Sequence, residues 1–261
     1  MTYFINYRNT KIHFTDNGSG NVILLLHGFL ENLNMWNDLE SHLTKTHRVI
    51  CIDLLGHGKS EDIGYIHTME MMAKSVISVL DYLEIKHVAI IGHSMGGYVG
   101  LGLLDLRPSL IKGLCLMNST AISDSKDKKN QRDRSIEVLK ENYALFVKIT
   151  TTNLFNQKKI KTYQKELKQV QNTALKMSYR SAIASLEGMK IRKNQLDLFR
   201  NFKVPKMVII GKNDAILNFK EQQSYYKNTD INVVELTDGH MSHIEDKEVF
   251  TYNIIRFIEK I

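Results

Sequence analysis

Cysteine, proline and tryptophan are scarce in this chain: two, two and one among 261 residues. Cys51 and Cys115 each sit inside an aliphatic stretch, RVICID and GLCLMN. They cannot form a disulfide framework, and they read as small core residues of a protein kept in a reducing compartment. Pro108 and Pro205 leave no rigid proline-rich spacer. No apolar run approaches the roughly 18 to 20 residues that span a bilayer. The opening MTYFINYRNTK lacks a basic region followed by an apolar one, so nothing suggests secretion. A cytoplasmic protein with no stable membrane insertion is expected. Also missing are G-x-G-x-x-G and Walker A loops, H-E-x-x-H, and paired C-x-x-C, so neither a cofactor nor a metal is expected.

What is present is an ordinary globular composition, 43% hydrophobic and 24% charged, long enough for one large α/β domain. The net charge of +7 is unevenly spread. Residues 122–200 hold 18 of the 35 basic and 8 of the 28 acidic residues, a net +10, which leaves −3 for the remainder. Such asymmetry fits an acidic partner or substrate, and equally a solvated helical face. Nucleic acid is disfavoured: the basic stretch has no interleaved aromatic pattern for base stacking.

Residues 3–7 and 11–15 alternate apolar and polar around a turn at Asn9, which predicts an opening hairpin. NVILLLHG, HRVICIDLLGHG, HVAIIGHS, IKGLCLMNS and PKMVIIGKND are short continuous apolar runs, as in parallel strands buried on both faces. Helical periodicity lies between them, at about 68–83, 95–106, 218–228 and 246–260. The alternation predicts an open, mostly parallel sheet with helices on both sides. Residues 122–200 break the rhythm and read as several amphipathic helices inserted between the strands at 111–117 and 206–211. The expected division is therefore a core of 1–121 and 201–261 with a helical cap of 122–200.

Reactive groups of open α/β sheets collect at the carboxyl ends of strands. The residues following the strands are His27-Gly28-Phe29, Gly92-His93-Ser94-Met95-Gly96, Lys212-Asn213-Asp214 and Thr237-Asp238-Gly239-His240. A serine, an acid and a histidine thus occupy three strand ends, in that chain order. Together LLHGF, DLLGHGKS, GHSMGG, GKNDAIL and DGHM span nearly the whole chain and resemble the α/β-hydrolase superfamily. That resemblance implies an eight-stranded, mostly parallel sheet with a helical lid.

It also implies roles. A sharp strand-to-helix turn leaves its central residue strained and exposed, and glycines two positions either side are the residues that fit, so Ser94 is the expected nucleophile. Ser94 needs a base, His240, held in tautomer and orientation by Asp214. The amides of Phe29 and Met95 are the expected oxyanion donors. His243 is the rival base, at a position where the family usually carries an apolar or aromatic side chain. For the acid, the family's alternative position follows the strand at 111–117; Asn118 and Ser119 stand there, with Asp124 further on. His27 and His57 read as loop-fixing residues, Asp53 and Ser60 as ties within the DLLGHGKSE loop, and His93 as a packing residue. Relatives often have proline where this chain has Leu55 and Ala215.

The expected activity is that of a carboxylesterase working through an acyl-enzyme, without cofactor, similar to the pimeloyl-carrier-protein methyl esterases. Phe146, Phe155 and Tyr179 are candidate pocket residues, and the basic lid is a candidate docking face for an acidic partner such as an acyl carrier protein. Two alternatives share the fold: a cofactor-free lyase or carbon–carbon hydrolase similar to the menaquinone-pathway synthase, and a ligand-sensing receptor. Dehalogenase and epoxide hydrolase chemistry is excluded because the elbow holds serine, not aspartate.

Overall fold

The structure is a computed structural model that describes residues 1–261. The chain opens on a hairpin, β1 (Thr2–Tyr7) and β2 (Thr10–Asn17). The two turn residues, Arg8 and Asn9, both have positive φ, 49° and 63°, the geometry whose twist matches that of paired strands. There follow β3 (Val22–Leu26), α1 (Asn37–Leu43), β4 (Arg48–Ile52), α2 (Met69–Tyr82), β5 (Val88–His93), α3 (Met95–Leu106) and β6 (Ile111–Met117). Five helices come next: α4 (Lys126–Glu141), α5 (Tyr143–Thr152), α6 (Gln164–Ala174), α7 (Tyr179–Lys190) and α8 (Leu196–Asn201). The chain then returns through β7 (Lys206–Gly211), α9 (Phe219–Tyr226), β8 (Asn232–Leu236), α10 (Ser242–Glu245) and α11 (Lys247–Ile258).

The eight strands form one sheet in the order β1-β2-β4-β3-β5-β6-β7-β8. Only the β1–β2 and β2–β4 pairs are antiparallel. After β3 the chain lays β4 on one side of it and β5 on the other. That reversal opens a crevice above the carboxyl ends of β3 and β5, where open α/β sheets place ligands.

Alternate side chains of the inner parallel strands feed two cores. Leu24, Leu26, Ile50 and Ile52 pack with α2, α3 and the apolar faces of the inserted helices. Ile23, Leu25, Val49 and Cys51 pack with α1 and α11 on the opposite face. A strand buried on both faces has no use for polar alternation, which is why the runs read as continuous. Cys51 and Cys115 are both free and buried, and burial raises their thiol pKa values. Helix boundaries expected from periodicity hold to within about two residues. The short α1, anchored by buried Leu39 and Leu43, was too brief for its period to register. No helix is long and apolar enough to cross a membrane.

Candidate functional site

Ser94 sits in the turn from β5 into α3 with φ 50° and ψ −113°, a conformation that L-residues rarely adopt. The glycines around it make that turn sterically possible. A Cβ on Gly92 would lie 2.5 Å from the Gly96 carbonyl oxygen, and one on Gly96 would collide with the backbone of Leu26. The turn is tied down on both sides: the Ser94 amide donates to the Met117 carbonyl at 2.9 Å, and Ser119 Oγ donates to the Ser94 carbonyl at 2.7 Å.

The structure brings the three expected side chains together. Ser94 Oγ lies 2.9 Å from His240 Nε2, and His240 Nδ1 lies 2.7 Å from Asp214 Oδ2. The other carboxylate oxygen of Asp214 accepts the amides of Ile216 and Leu217, at 2.8 and 3.1 Å. Burial alone would raise the Asp214 pKa. The facing His240 and those two amides outweigh burial and hold the carboxyl below its ordinary range. With an anion on its Nδ1 side, the ring places its N–H there and turns a lone pair on Nε2 toward the Ser94 hydroxyl.

Asn118 occupies the position after β6 that is the alternative site for the acid. Its Nδ2 donates to Asp214 Oδ2 at 3.2 Å and to the Gly239 carbonyl at 3.1 Å. The residue therefore braces the acid and the histidine loop together. Asp124 lies apart from the relay and is bound to Arg132 and Arg192. His243 does not reach Ser94; it packs in α10 between Trp36 and His93, and burial lowers its pKa to about 4.

His93 corrects the sequence reading, which gave it a packing role. Its Nδ1 lies 2.8 Å from Glu31 Oε2 and its Nε2 lies 3.0 Å from the His240 carbonyl. Neither partner has a hydrogen to give to the ring in that pairing, so both nitrogens donate and the ring is an imidazolium. Burial disfavours this charge, but Glu31 more than offsets it and the His93 pKa is raised. Glu31 Oε2 also accepts the Gly28 amide at 2.6 Å, and the Glu31 amide closes back on the Gly28 carbonyl. One buried ion pair thus joins the turn after β3, the nucleophile elbow and the histidine loop. Glu31 gave no signal in the sequence, because its partner is 62 positions away.

The H-G-F turn rests on two neutral histidines. His27 Nδ1 donates to the Gly28 carbonyl at 2.7 Å, while its Nε2 accepts the Leu54 amide at 3.0 Å. His57 Nδ1 donates to the Leu55 carbonyl at 3.0 Å. Burial lowers both pKa values, that of His57 to about 3. The expected ties of the loop after β4 are in place. Asp53 accepts the amides of Leu33 and Lys59, each at 2.8 Å, and Ser60 Oγ donates to the Asp53 carbonyl at 2.6 Å. Phe29 stands above this support with its side chain lining the cleft, and Met95 begins α3 directly after Ser94.

Above Ser94 opens a cavity of about 380 Å³ between the strand ends and the inserted helices. Phe146 lines it, as expected. Phe155 instead packs with Leu167 and Met241, and Tyr179 is 47% exposed beside Arg180. Phe155 lies in the bend after α5 and Tyr179 opens α7, and neither lines the cavity, which the spacing of aromatics alone does not reveal. The insertion also grips the histidine loop. The Leu154 carbonyl accepts the His240 amide at 2.8 Å, Asn156 Nδ2 donates to buried Asp238 at 2.8 Å, and the Asn156 amide donates to Glu245 at 2.7 Å.

A family model described as alpha/beta hydrolase fold matches residues 21–247. A thermophilic esterase from Thermogutta terrifontis, solved with malate bound, superposes with a TM-score of 0.92 at 26% identity, over 100% of this chain and 98% of that one. The 3-oxoadipate enol-lactonase 1 of Acinetobacter baylyi is 25% identical over 87% of this chain and 84% of its own length. The dihydrolipoyllysine-residue acetyltransferase component of the acetoin cleaving system of Pseudomonas putida is 25% identical over 92% of this chain. The match spans 64% of that component, and only 31% of similar mycobacterial proteins. The strained serine at the end of β5, the strand order and the full-length likeness agree: this chain belongs to the α/β-hydrolase fold family.

Proposed function

We propose that this hydrolase cleaves carboxylic esters, with Ser94 as nucleophile, His240 as general acid and base, and Asp214 as the orienting acid. The observation that carries this reading is the unbroken relay of 2.9 and 2.7 Å, ending in a strained serine that faces the cavity. Ser94 Oγ attacks the ester carbonyl while its proton passes to Nε2 of His240. The negative charge on the carbonyl oxygen is held by the amides of Met95 and Phe29; removal of one such donor typically costs about 10²–10³ in rate. The intermediate collapses, His240 returns the proton to the departing alcohol, and the acyl group stays on Ser94. Water then gives a proton to His240 and attacks the acyl-enzyme, releasing the acid and restoring the serine. A lactone, being a cyclic ester, follows the same course, in keeping with the enol-lactonase among the relatives.

The test is turnover of p-nitrophenyl acetate, butyrate and octanoate by the protein and by Ser94→Ala. Hydrolysis that disappears in the variant supports the assignment, and the chain-length profile sizes the cavity. No hydrolysis of any of the three rejects the ester reading and leaves carbon–carbon cleavage or ligand sensing.

A further inference from the structure

Part of the basic excess of residues 122–200 turns inward. Lys128 and Arg132 on α4, and Arg192 just after α7, line the cavity above Ser94. Asp124 is their buried acidic partner. It bonds Arg132 through both carboxylate oxygens and Arg192 Nη1 at 2.6 Å. Arg192 is only 7% exposed along its side chain, and its guanidinium carbon lies 4.1 Å from the centre of the Tyr98 ring. Tyr98 is about one helical turn after Ser94 on α3, and both line the same cavity as the cluster. Glu221 also borders the cavity, but it is exposed and accepts from Tyr225.

Two arginines and one carboxylate already leave a positive charge, and Lys128 adds another. Its Nζ makes one hydrogen bond, to the Ile216 carbonyl at 2.9 Å, beside the turn that holds Asp214. An ammonium has three protons to donate, so two are unspent. Burial first, and then Arg132, disfavour this charge more than Asp124 and Asp214 favour it, and the Lys128 pKa is lowered. Excess positive charge in a partly buried cavity is costly unless an anion completes it.

We propose that this site selects esters whose acyl chain ends in a carboxylate, with Lys128 as the residue that receives it and the Arg132–Asp124–Arg192 group as its positive backing. This rests on the ester reading of Ser94 and names its substrate class. In such a substrate, water adds across the acyl–oxygen bond; the alcohol leaves with one proton, and the second carboxylic acid ionises to give the dicarboxylate. A neutral chain of equal length enters the cavity but gives the Lys128 protons no acceptor.

Monomethyl adipate and methyl hexanoate are a matched pair, differing at the chain end by carboxylate against methyl. The two values of kcat/KM, followed by proton release, are expected to favour the hemi-ester by about tenfold or more, the size of a charge-assisted hydrogen bond. Lys128→Met is expected to lower that ratio about tenfold, and Lys128→Arg to preserve most of it. A ratio at or below one in the unmodified protein, or an equal ratio in Lys128→Met, overturns the proposal. Calorimetric titration with adipate and with hexanoate reads the same site without turnover. If neither methyl ester is hydrolysed, the p-nitrophenyl esters decide the ester reading; the anion site then stands on tighter binding of adipate that Lys128→Met weakens, and falls if the two acids bind alike. A melting temperature for each variant separates loss of the site from loss of the fold.

Discussion

In the floor of the cleft, built from the ends of β3, β5, β7 and β8, the side chains of the proposed triad are held by partners fixed in the core. Asp214 takes two amides, Asn118 and His240; Ser94 is tied to β6; Glu31 and His93 close a charge pair beneath. The roof, made by the inserted helices, carries an ammonium with donors to spare and a guanidinium pair sharing one acid. The floor is complete without a ligand and the roof is not. Chemistry needs a preorganised constellation, whereas recognition needs unspent valence, and the molecule assigns them to different segments of the chain.

Breaking the floor at its centre has the largest expected effect. Ser94→Ala removes the proposed nucleophile and is expected to reduce kcat on p-nitrophenyl butyrate by about 10⁴-fold or more, with the fold intact by circular dichroism. Retention of more than a hundredth of the activity would mean that another group attacks. Glu31→Gln strikes one layer lower. It leaves the buried His93 cation without its counter-charge, and the expected loss is about 3–5 kcal/mol in urea unfolding, with a fall in kcat. Stability within 1 kcal/mol of the parent would show that the pair is not charged.

Asn156→Ala tests whether roof and floor are joined. It removes the amide that holds buried Asp238 from the insertion, for an expected loss of about 1–2 kcal/mol. No change in either stability or kcat would mean that the backbone bonds of Leu154 and Asn156 and the Lys159–Asp238 pair suffice to join the two regions. An effect that shows only in acid concerns His57, neutral in the fold with a pKa of about 3. Unfolded, the same ring takes a proton near pH 6.5, so its contribution is whole above that pH and is lost as pH falls toward 3. His57→Gln is expected to abolish that part of the slope, about 1.4 kcal/mol per pH unit, measured as the difference between the two stability curves. Parallel curves from pH 7 to pH 4 would mean that the ring takes up its proton alike in the folded and unfolded protein.

The same division explains what could be read from the residues alone. Floor residues sit at strand ends within motifs, and a strand end is a local feature: an apolar run that stops at glycine. Ser94, Asp214 and His240 were legible for that reason. The Glu31–His93 pair was not, because a contact across 62 positions leaves no periodic trace. In the insertion, periodicity predicted helices but not which flank would face the cleft. Phe146 was rightly placed at the cavity, while Phe155 and Tyr179 were not. The inward turn of Lys128, Arg132 and Arg192 was hidden within a stretch whose other lysines lie in solvent.

The bond from the His240 amide to the Leu154 carbonyl has a kinetic consequence. The segment that roofs the cleft is also a backbone anchor of the proton carrier. If it swings outward with that bond intact, it draws His240 from Ser94; if the bond breaks, the loop loses one of its restraints. The position of the proposed base is thus tied to the segment above it, and a change at Leu154 is expected to reach His240 without touching the serine.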